Sequence, residues 1–198
     1  MPVKPKATIK KRPASSSKSD FMKRFEKTLR TVPDFPKPGI QFKDITPILQ
    51  NPILFKETLE VLAKPYKDKR IDAVVSIESR GFIFGAALAI KLGAGFVPLR
   101  KPNKLPYEKY REVYALEYGT DALEIHIDAL KKKSRVVLHD DVLATGGTAE
   151  AAVKLIQRAG GKIEGLCFLI ELGFLGGRAR LSHLGIDADL IRSLHKIQ

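Results

Sequence analysis

The sequence has a single cysteine, no tryptophan and no long hydrophobic run. With Cys167 alone, no intramolecular disulfide can form and no cysteine-based metal cluster can be assembled. We therefore expect a reducing, cytoplasmic location. The longest strongly apolar stretch runs from Gly81 to Ile90 and is about half the roughly 20 residues that a membrane-spanning helix needs. We expect no membrane association.

Acidic residues are missing from the N-terminal segment, where none precedes Asp20. Residues 1–19 are rich in lysine, proline and serine, a composition that cannot offset the entropy of ordering, and we predict a disordered basic tail. Its prolines argue against the amphipathic helix of a transit peptide. Residues 20–198 are predicted to form one folded domain, because a chain of 198 residues with 44% apolar content can bury one sizeable core.

The formal net charge of +13 is typical of nucleic-acid-binding proteins. Much of that charge lies in the tail, and the remaining excess also suits phosphorylated small molecules. The pattern therefore leaves two classes open, an enzyme of phosphorylated substrates and a ligand-sensing nucleic-acid regulator. No winged-helix or zinc-binding pattern supports the second, and we expect no specific nucleic-acid partner.

Hydrophobic periodicity predicts an α/β protein. Asp20 is a candidate cap for a first helix, and Asn51 followed by Pro52 is a candidate start for a second. Two β-rich runs, 113–118 and 122–127, predict an antiparallel hairpin. The other segments alternate, which indicates a mostly parallel sheet flanked by helices: strand 71–77, helix 82–92, strand 96–99, strand 135–138, helix 149–159 and strand 163–170.

The most informative stretch runs from Arg135 to Thr148, where a buried strand leads into two acids, a loop of small residues and a helix. Glycine backbone and threonine hydroxyl groups in the loop 144–148 can surround a phosphate at the positive helix N-terminus. Asp140 and Asp141 would repel that phosphate, so we expect them to accept hydrogen bonds from ribose hydroxyls or to help hold hydrated Mg²⁺. Together these features predict a ribose 5-phosphate site.

This stretch closely resembles the phosphoribosyl-diphosphate signature of type I phosphoribosyltransferases, in the form found in adenine-specific members. The resemblance implies a central sheet with a small hood built from N-terminal and C-terminal segments, Mg²⁺ as cofactor, adenine and phosphoribosyl diphosphate as substrates, and a homodimer. Ala144 supports this specificity, because members acting on 6-oxopurines usually carry aspartate there. Use of another base, such as a 6-oxopurine or orotate, is the alternative.

The resemblance also implies roles for three further segments. Arg80, in a strand-to-helix turn, would bind pyrophosphate, although it could instead cap the turn or pair with Glu78. Lys104 lies in a predicted mobile loop, 100–112, and would contact pyrophosphate on closure. Glu117 would handle the proton at adenine N7, with solvent exposure as the alternative. The implied residues for phosphoribosyl diphosphate and AMP are Ser79, Arg80, Lys101, Lys104, Tyr118, Asp140, Asp141, Ala144, Thr145, Gly146, Gly147 and Thr148; for Lys101, contact and solvation are equally plausible.

The segment 33–47 resembles the hood of adenine-specific members. Phe42 would stack on the purine, backbone groups of Gln41 and Lys43 would read its edge, and Leu172 would cover its other face. Simple core packing is the alternative for Phe42. The sequence departs from the family at Lys43, usually arginine, and at His139, usually valine. For His139 we rank a core role first, tuning of the acids second and catalysis third.

Overall fold

The computed structural model describes residues 18–115 and 119–198, which divide into two compact units at the bond between Glu57 and Thr58. The helices are α1 Lys18–Thr28, α2 Thr46–Gln50, α3 Pro52–Ala63, α4 Gly81–Leu92, α5 Gly147–Arg158 and α6 Gly177–His183. The strands are β1 Arg30–Pro33, β2 Gln41–Asp44, β3 Ala73–Ile77, β4 Gly95–Leu99, β5 Lys109–Ala115, β6 Thr120–His126, β7 Arg135–Leu143, β8 Lys162–Leu172 and β9 Ile191–Ile197. Short 3₁₀ turns occupy Lys64–Tyr66, Gly173–Leu175 and Ala188–Leu190.

The first unit contains α1, the antiparallel pair β1–β2, α2 and the start of α3. Phe21 and Phe25 of α1 are buried, as the apolar spacing predicts. The prediction of Asp20 as the cap of this helix is wrong, because α1 begins at Lys18 and Asp20 lies in its first turn. There its charge still suits the positive end of the helix.

The predicted start of α3 is confirmed. The Asn51 side-chain oxygen accepts hydrogen bonds from the backbone N–H groups of Ile53 and Leu54, both at 3.1 Å. Pro52 is the first residue of the helix, where its missing N–H leaves no bond unmade.

The second unit is built on a parallel five-stranded sheet with the strand order β4-β3-β7-β8-β9. Val75, Leu138 and Phe168 form one core face with residues of α5. Ser76 follows Val75 in β3, and neighbouring strand residues point to opposite faces, so Ser76 lies on the other face. Helix α4 packs there, because a Cβ on Gly85 would meet the Ser76 side chain at 1.8 Å. The predicted sheet flanked by helices is confirmed.

The predicted hairpin is also present, as β5 paired antiparallel with β6. It begins earlier than predicted: Lys109 pairs with His126, so residues 109–112 of the predicted mobile loop 100–112 belong to a strand. The Arg158 guanidinium of α5 lies 4.4 Å from the centroid of the Tyr110 ring and helps to fix this part of the hairpin.

Several elements differ from the sequence prediction. The antiparallel β1–β2 pair and the short helix α2 were not predicted. Strand β7 continues to Leu143 rather than ending at Leu138, because Asp140 and Val142 pair with residues of β8. Helix α6 and the edge strand β9 were not predicted at all. Within the ranges 18–115 and 119–198, no helix is long and apolar enough to cross a membrane.

Candidate active site

The phosphate-binding loop predicted from the sequence lies where β7 ends and α5 begins. Gly146 adopts a φ of 83°, in the left-handed region that favours glycine, and α5 starts at the next residue without a side-chain cap. The first backbone N–H groups of the helix therefore remain available as donors for an anion. Thr145 is exposed at the tip of the loop, whereas Gly147 is buried.

Three glycines allow the backbone of this loop to touch its neighbours. A Cβ on Gly146 would lie 2.9 Å from the carbonyl oxygen of Gly177, and one on Gly147 would lie 3.2 Å from that of Ala115. A Cβ on Gly177 would lie only 2.2 Å from the carbonyl oxygen of Ala144. The start of α6 and the end of β5 thus fix the loop by direct backbone packing.

Of the two acids at the end of β7, Asp141 is buried and Asp140 is half-buried. Burial raises the pKa of Asp140 well above its usual range, and the neighbouring Asp141 carboxylate raises it further. Burial also raises the pKa of Asp141, while the charge of Arg80 opposes that rise. The pair therefore carries less negative charge than two exposed carboxylates would, which reduces its repulsion of an incoming phosphate.

Arg80 pairs with the second acid. Its Nε lies 2.6 Å from the Asp141 carboxylate, and its side chain remains 37% exposed. The alternative of a pair with Glu78 does not occur, because the Arg100 Nε and the Lys101 backbone N–H both donate to the Glu78 carboxylate at 2.8 Å. The hydrogen bond from Arg100 lowers the pKa of Glu78.

The turn after β3 and the acids of β7 meet at the same edge of the sheet. Ser76 and His139 are paired in the parallel register of these neighbouring strands, so the residues that follow each strand converge. A Cβ on Gly81 would lie 2.9 Å from a carboxylate oxygen of Asp140. Ser79 is exposed in the same turn. The structure therefore brings together the two predicted anion-binding segments.

The predicted lysines occupy different environments. The Lys101 ammonium donates to the Tyr114 hydroxyl at 2.7 Å and to the Asp121 carboxylate. Burial acts to lower the pKa of Lys101, but these two hydrogen bonds outweigh it and raise that pKa. Lys104 is exposed to solvent. Lys101 is thus held against the β5–β6 hairpin, whereas the Lys104 side chain is open to a ligand.

Two predicted site residues, Glu117 and Tyr118, lie outside the described residues. Their roles rest on the sequence resemblance.

The predicted base-binding residues belong to both units. In the first unit, Phe42 on β2 is half-buried and meets the Phe35 ring edge-on at 5.1 Å between centroids. The Lys43 ammonium donates to the Thr31 hydroxyl at 2.8 Å, and Gln41 is exposed. In the second unit, Leu172 ends β8 and is half-buried.

His139 is a core residue. It is fully buried, and its Nδ1 donates to the Cys167 carbonyl at 2.9 Å, since a carbonyl can only accept. Burial lowers the pKa of His139 to about 4, so the ring is neutral at physiological pH. This placement supports the first-ranked interpretation from the sequence.

Sequence reasoning missed the ion pair that positions α6. The Arg178 guanidinium donates to both carboxylate oxygens of Glu171, at 3.1 and 2.6 Å, and the Ser193 hydroxyl donates to the same carboxylate. Because Gly177 precedes Arg178 and touches the phosphate loop, this pair anchors the helix that supports the loop. No local motif signals it, since seven residues separate the partners in the chain and the third comes from β9.

Comparison with known proteins assigns this arrangement to a family. Residues 44–181 match the model of the phosphoribosyl transferase domain, a span that includes both anion-binding segments. The chain therefore belongs to the phosphoribosyltransferase family.

Several relatives and solved structures in that family are named adenine phosphoribosyltransferase. The chain is 58% identical to the adenine phosphoribosyltransferase of Roseiflexus sp. over 154 residues, which cover 78% of this chain and 90% of the relative. The crystal structure of the adenine phosphoribosyltransferase from Rhodothermus marinus superposes with a TM-score of 0.83 at 50% identity, covering 90% of this chain and 99% of that one. The enzyme from Trypanosoma brucei, solved with AMP, pyrophosphate and ribose-5-phosphate, superposes with a TM-score of 0.82 at 30% identity over 91% of this chain and 81% of that one.

Proposed function

We propose that this chain is an adenine phosphoribosyltransferase that transfers the 5-phosphoribosyl group of phosphoribosyl diphosphate to adenine, giving AMP and pyrophosphate. In this reaction the bond from C1′ of the ribose to a pyrophosphate oxygen breaks, the bond from C1′ to adenine N9 forms, and the purine loses one proton. The observation that carries the proposal is the phosphate loop after β7 beside Arg80 and the two acids, in a chain 58% identical to an enzyme of that name.

The loop and the acids would bind different parts of the ribose 5-phosphate. The backbone N–H groups of 144–148 would surround the 5′-phosphate, with the threonine hydroxyls as further donors. Asp140 and Asp141 would accept hydrogen bonds from the ribose hydroxyls and stabilise the positive charge that develops on the sugar as the leaving group departs. Their ionised form is favoured once that cationic charge develops nearby.

Cationic side chains would balance the negative charge of the pyrophosphate leaving group. Arg80, next to the start of α4, would bind pyrophosphate through its fork of N–H donors, and Lys104 would add a second cation from the loop. Ser79, Lys101 and Tyr118 are the remaining residues that the resemblance assigns to this ligand. Glu117 would control the proton at adenine N7, and its carboxyl group needs a raised pKa to donate one at neutral pH.

The base would be recognised by residues that the hood resemblance names. Phe42 offers a half-exposed ring for stacking on a purine, and Gln41 is an exposed residue at the start of β2. Lys43 and Leu172 complete the proposed set.

Magnesium fits the chemistry of the site as an ion carried mainly by substrate. Among the described residues, no group of three histidine, cysteine or acidic side chains could hold a metal ion. Asp140 and Asp141 offer carboxylate oxygens, and Mg²⁺ commonly combines one or two carboxylates with water and substrate phosphates. When bound, the ion would neutralise negative charge on the pyrophosphate leaving group.

We also propose that the chain is a cytoplasmic homodimer. Ile83 and Ile90 of α4 are 41% and 84% exposed, and their spacing of seven residues places them on one side of the helix. Such an apolar face suits contact with a second copy. Light scattering of Ile90→Glu against the parent chain tests this, with a change from dimer to monomer expected and an unchanged dimer contradicting the role of Ile90.

The direct test of the reaction is chromatography of nucleotides formed from adenine, phosphoribosyl diphosphate and Mg²⁺. AMP and pyrophosphate in equal amounts are expected. Replacing Glu117 with glutamine should lower turnover while AMP still binds, and an unchanged turnover rate would exclude the proposed proton-handling role.

A further inference from the structure

A second groove lies in the larger unit, at the end of the sheet opposite the phosphate loop. Its volume is about 780 Å³, within the range of small-molecule sites. The starts of β3, β4 and β7 form its floor, at Ala73, Gly95 and Arg135. Since β7 rises about 3.3 Å per residue, the groove at Arg135 and the end of the strand at Leu143 are separated by about 26 Å. The groove is therefore distinct from the candidate active site.

The groove is lined by far more positive than negative side chains. Five cationic residues and one acid belong to its lining: Arg70, Lys131, Lys132, Lys133 and Arg135, with Asp72. Asp72 pairs with Arg70, and Glu164 pairs with Arg135 from outside the groove. The three lysines are exposed and form no salt bridge with any residue in the described ranges. Their uncompensated charge gives the groove a strongly positive potential.

A turn holds these lysines together. The Ser134 N–H donates to the Lys131 carbonyl at 2.9 Å, which closes a four-residue turn. Lys133 has a φ of 65° at a position of the turn where glycine is the favoured residue. The turn therefore places three consecutive lysines in the lining of the groove. Adjacent point charges of this kind suit a chain of phosphates better than a single carboxylate.

The groove lining also contains an aromatic residue, Phe96. Phe96 is 37% exposed and is held edge-on against Phe82, with 5.6 Å between ring centroids. Val97 and Leu130 also line the groove, but they are buried and belong to the core on the α5 face, whereas the Phe96 ring lies on the α4 face. A partly exposed ring that is fixed by a neighbour offers a stacking face at little entropic cost. The groove thus combines three consecutive lysines with a ring suited to stacking on a planar base.

From this combination we propose that the groove binds a nucleoside polyphosphate, with its phosphates on Lys131, Lys132 and Lys133 and its base against Phe96. Its volume lies within the range of small-molecule sites, and its lining includes both lysines and a partly exposed aromatic ring. The proposal does not depend on the reaction at the other end of the sheet.

Equilibrium dialysis of ATP against the full chain, with the active site saturated by AMP, tests this site. One ATP per chain is expected to bind. Lys131→Gln/Lys132→Gln/Lys133→Gln should weaken that binding roughly thirtyfold, because three charge contacts are lost. The matched control Lys23→Gln/Lys27→Gln/Lys56→Gln removes the same charge from exposed positions and should bind like the parent. Both variants should form AMP at the parent rate, which verifies folding.

Two further binding measurements identify the class of ligand. Phe96→Leu should weaken ATP binding but leave binding of inorganic tripolyphosphate unchanged, whereas an equal effect on both probes would overturn the base contact. If AMP abolishes ATP binding, and the triple variant still binds ATP as tightly as the parent chain, then ATP binds in the active site. That result would overturn the proposal. An RNA oligomer that binds at least tenfold more tightly than ATP, and loses this binding in the triple variant, would make the groove a nucleic-acid surface instead.

Discussion

The Arg80 guanidinium lies 2.6 Å from the Asp141 carboxylate, and this pair joins the turn after β3 to the end of β7. The two strands are neighbours in the sheet, but 61 positions separate the partners in the chain. In the proposed reaction, the pair would keep the cation that binds pyrophosphate beside the acids that bind the ribose. Arg80 is thus oriented before the ligand arrives, which lowers the entropy cost of binding.

We predict that Arg80→Met raises KM for phosphoribosyl diphosphate by about tenfold or more, since a hydrogen bond to a charged group contributes roughly 1.5–3 kcal/mol. KM for adenine should change little. Steady-state kinetics with each substrate varied in turn checks this. Arg70→Met is the control, because Arg70 is 83% exposed and lies before β3. Equal increases in both KM values would contradict a pyrophosphate role.

We predict that Gly177→Ala displaces the phosphate loop. The new Cβ would lie 2.2 Å from the Ala144 carbonyl, so the backbone must move, and KM for phosphoribosyl diphosphate should rise about fivefold or more. Gly185→Ala is a matched control: its φ of 77° makes alanine unfavourable by about 1 kcal/mol, but no atom lies within 4 Å of the new Cβ. The control should lose stability with KM unchanged. An unchanged KM in both variants would exclude α6 as a support for the loop.

Much of the fold could be predicted from the sequence. Alternating apolar runs gave the sheet and its flanking helices, and the small residues at 144–148 marked the turn at the end of β7. Strand β7 was predicted too short because two consecutive acids are typical of a loop. In the structure Asp141 is buried, with Arg80 as its partner. That partner is distant in the chain, so local patterns could not reveal it.

The support of the site was harder to predict. Strand β9 lies at the sheet edge and mixes polar with apolar residues, so its periodicity is weak. Glu171 is buried at the end of β8 because Arg178 and Ser193 satisfy it. Sequence reasoning treats a lone glutamate as exposed, and only the tertiary structure shows these partners.

His139 should be dispensable for catalysis. Its pKa falls from 6.5 in the unfolded chain to about 4 in the folded one, so its contribution to stability is complete above pH 6.5 and is lost as the pH falls towards 4. The parent chain should lose about 1.5 kcal/mol of unfolding free energy from this group between pH 6.5 and 5. Urea unfolding of His139→Val should show a smaller acid dependence, with kcat within about twofold of the parent. A large loss of kcat would instead assign a catalytic role to this ring.

Glu171 should make the fold sensitive to acid at lower pH. The hydrogen bond from Arg178 lowers the pKa of Glu171 from 4.5 to about 2 despite burial, so its stabilisation is complete above pH 4.5 and is lost as the pH falls towards 2. Glu171→Gln should cost about 2 kcal/mol at pH 7, and the difference from the parent should shrink by about 1 kcal/mol at pH 3.5. Urea titrations at both pH values measure this. The control Glu60→Gln changes a side chain that is 49% exposed and should alter the unfolding free energy by less than about 0.5 kcal/mol. If the loss of unfolding free energy in Glu171→Gln is independent of pH, the ionic contribution of Glu171 is contradicted.

In the proposed reaction, this chain uses adenine as its base and the loop after β7 as its phosphoribosyl site. The most direct measurement is nucleotide formation from phosphoribosyl diphosphate and Mg²⁺ with adenine, hypoxanthine, guanine and orotate in parallel, for the parent chain and for Asp140→Ala/Asp141→Ala. We expect turnover with adenine alone, and its loss in the folded double variant. Turnover with another base instead of adenine would contradict the base assignment, and inactivity of the folded parent with all four bases would contradict the enzyme itself.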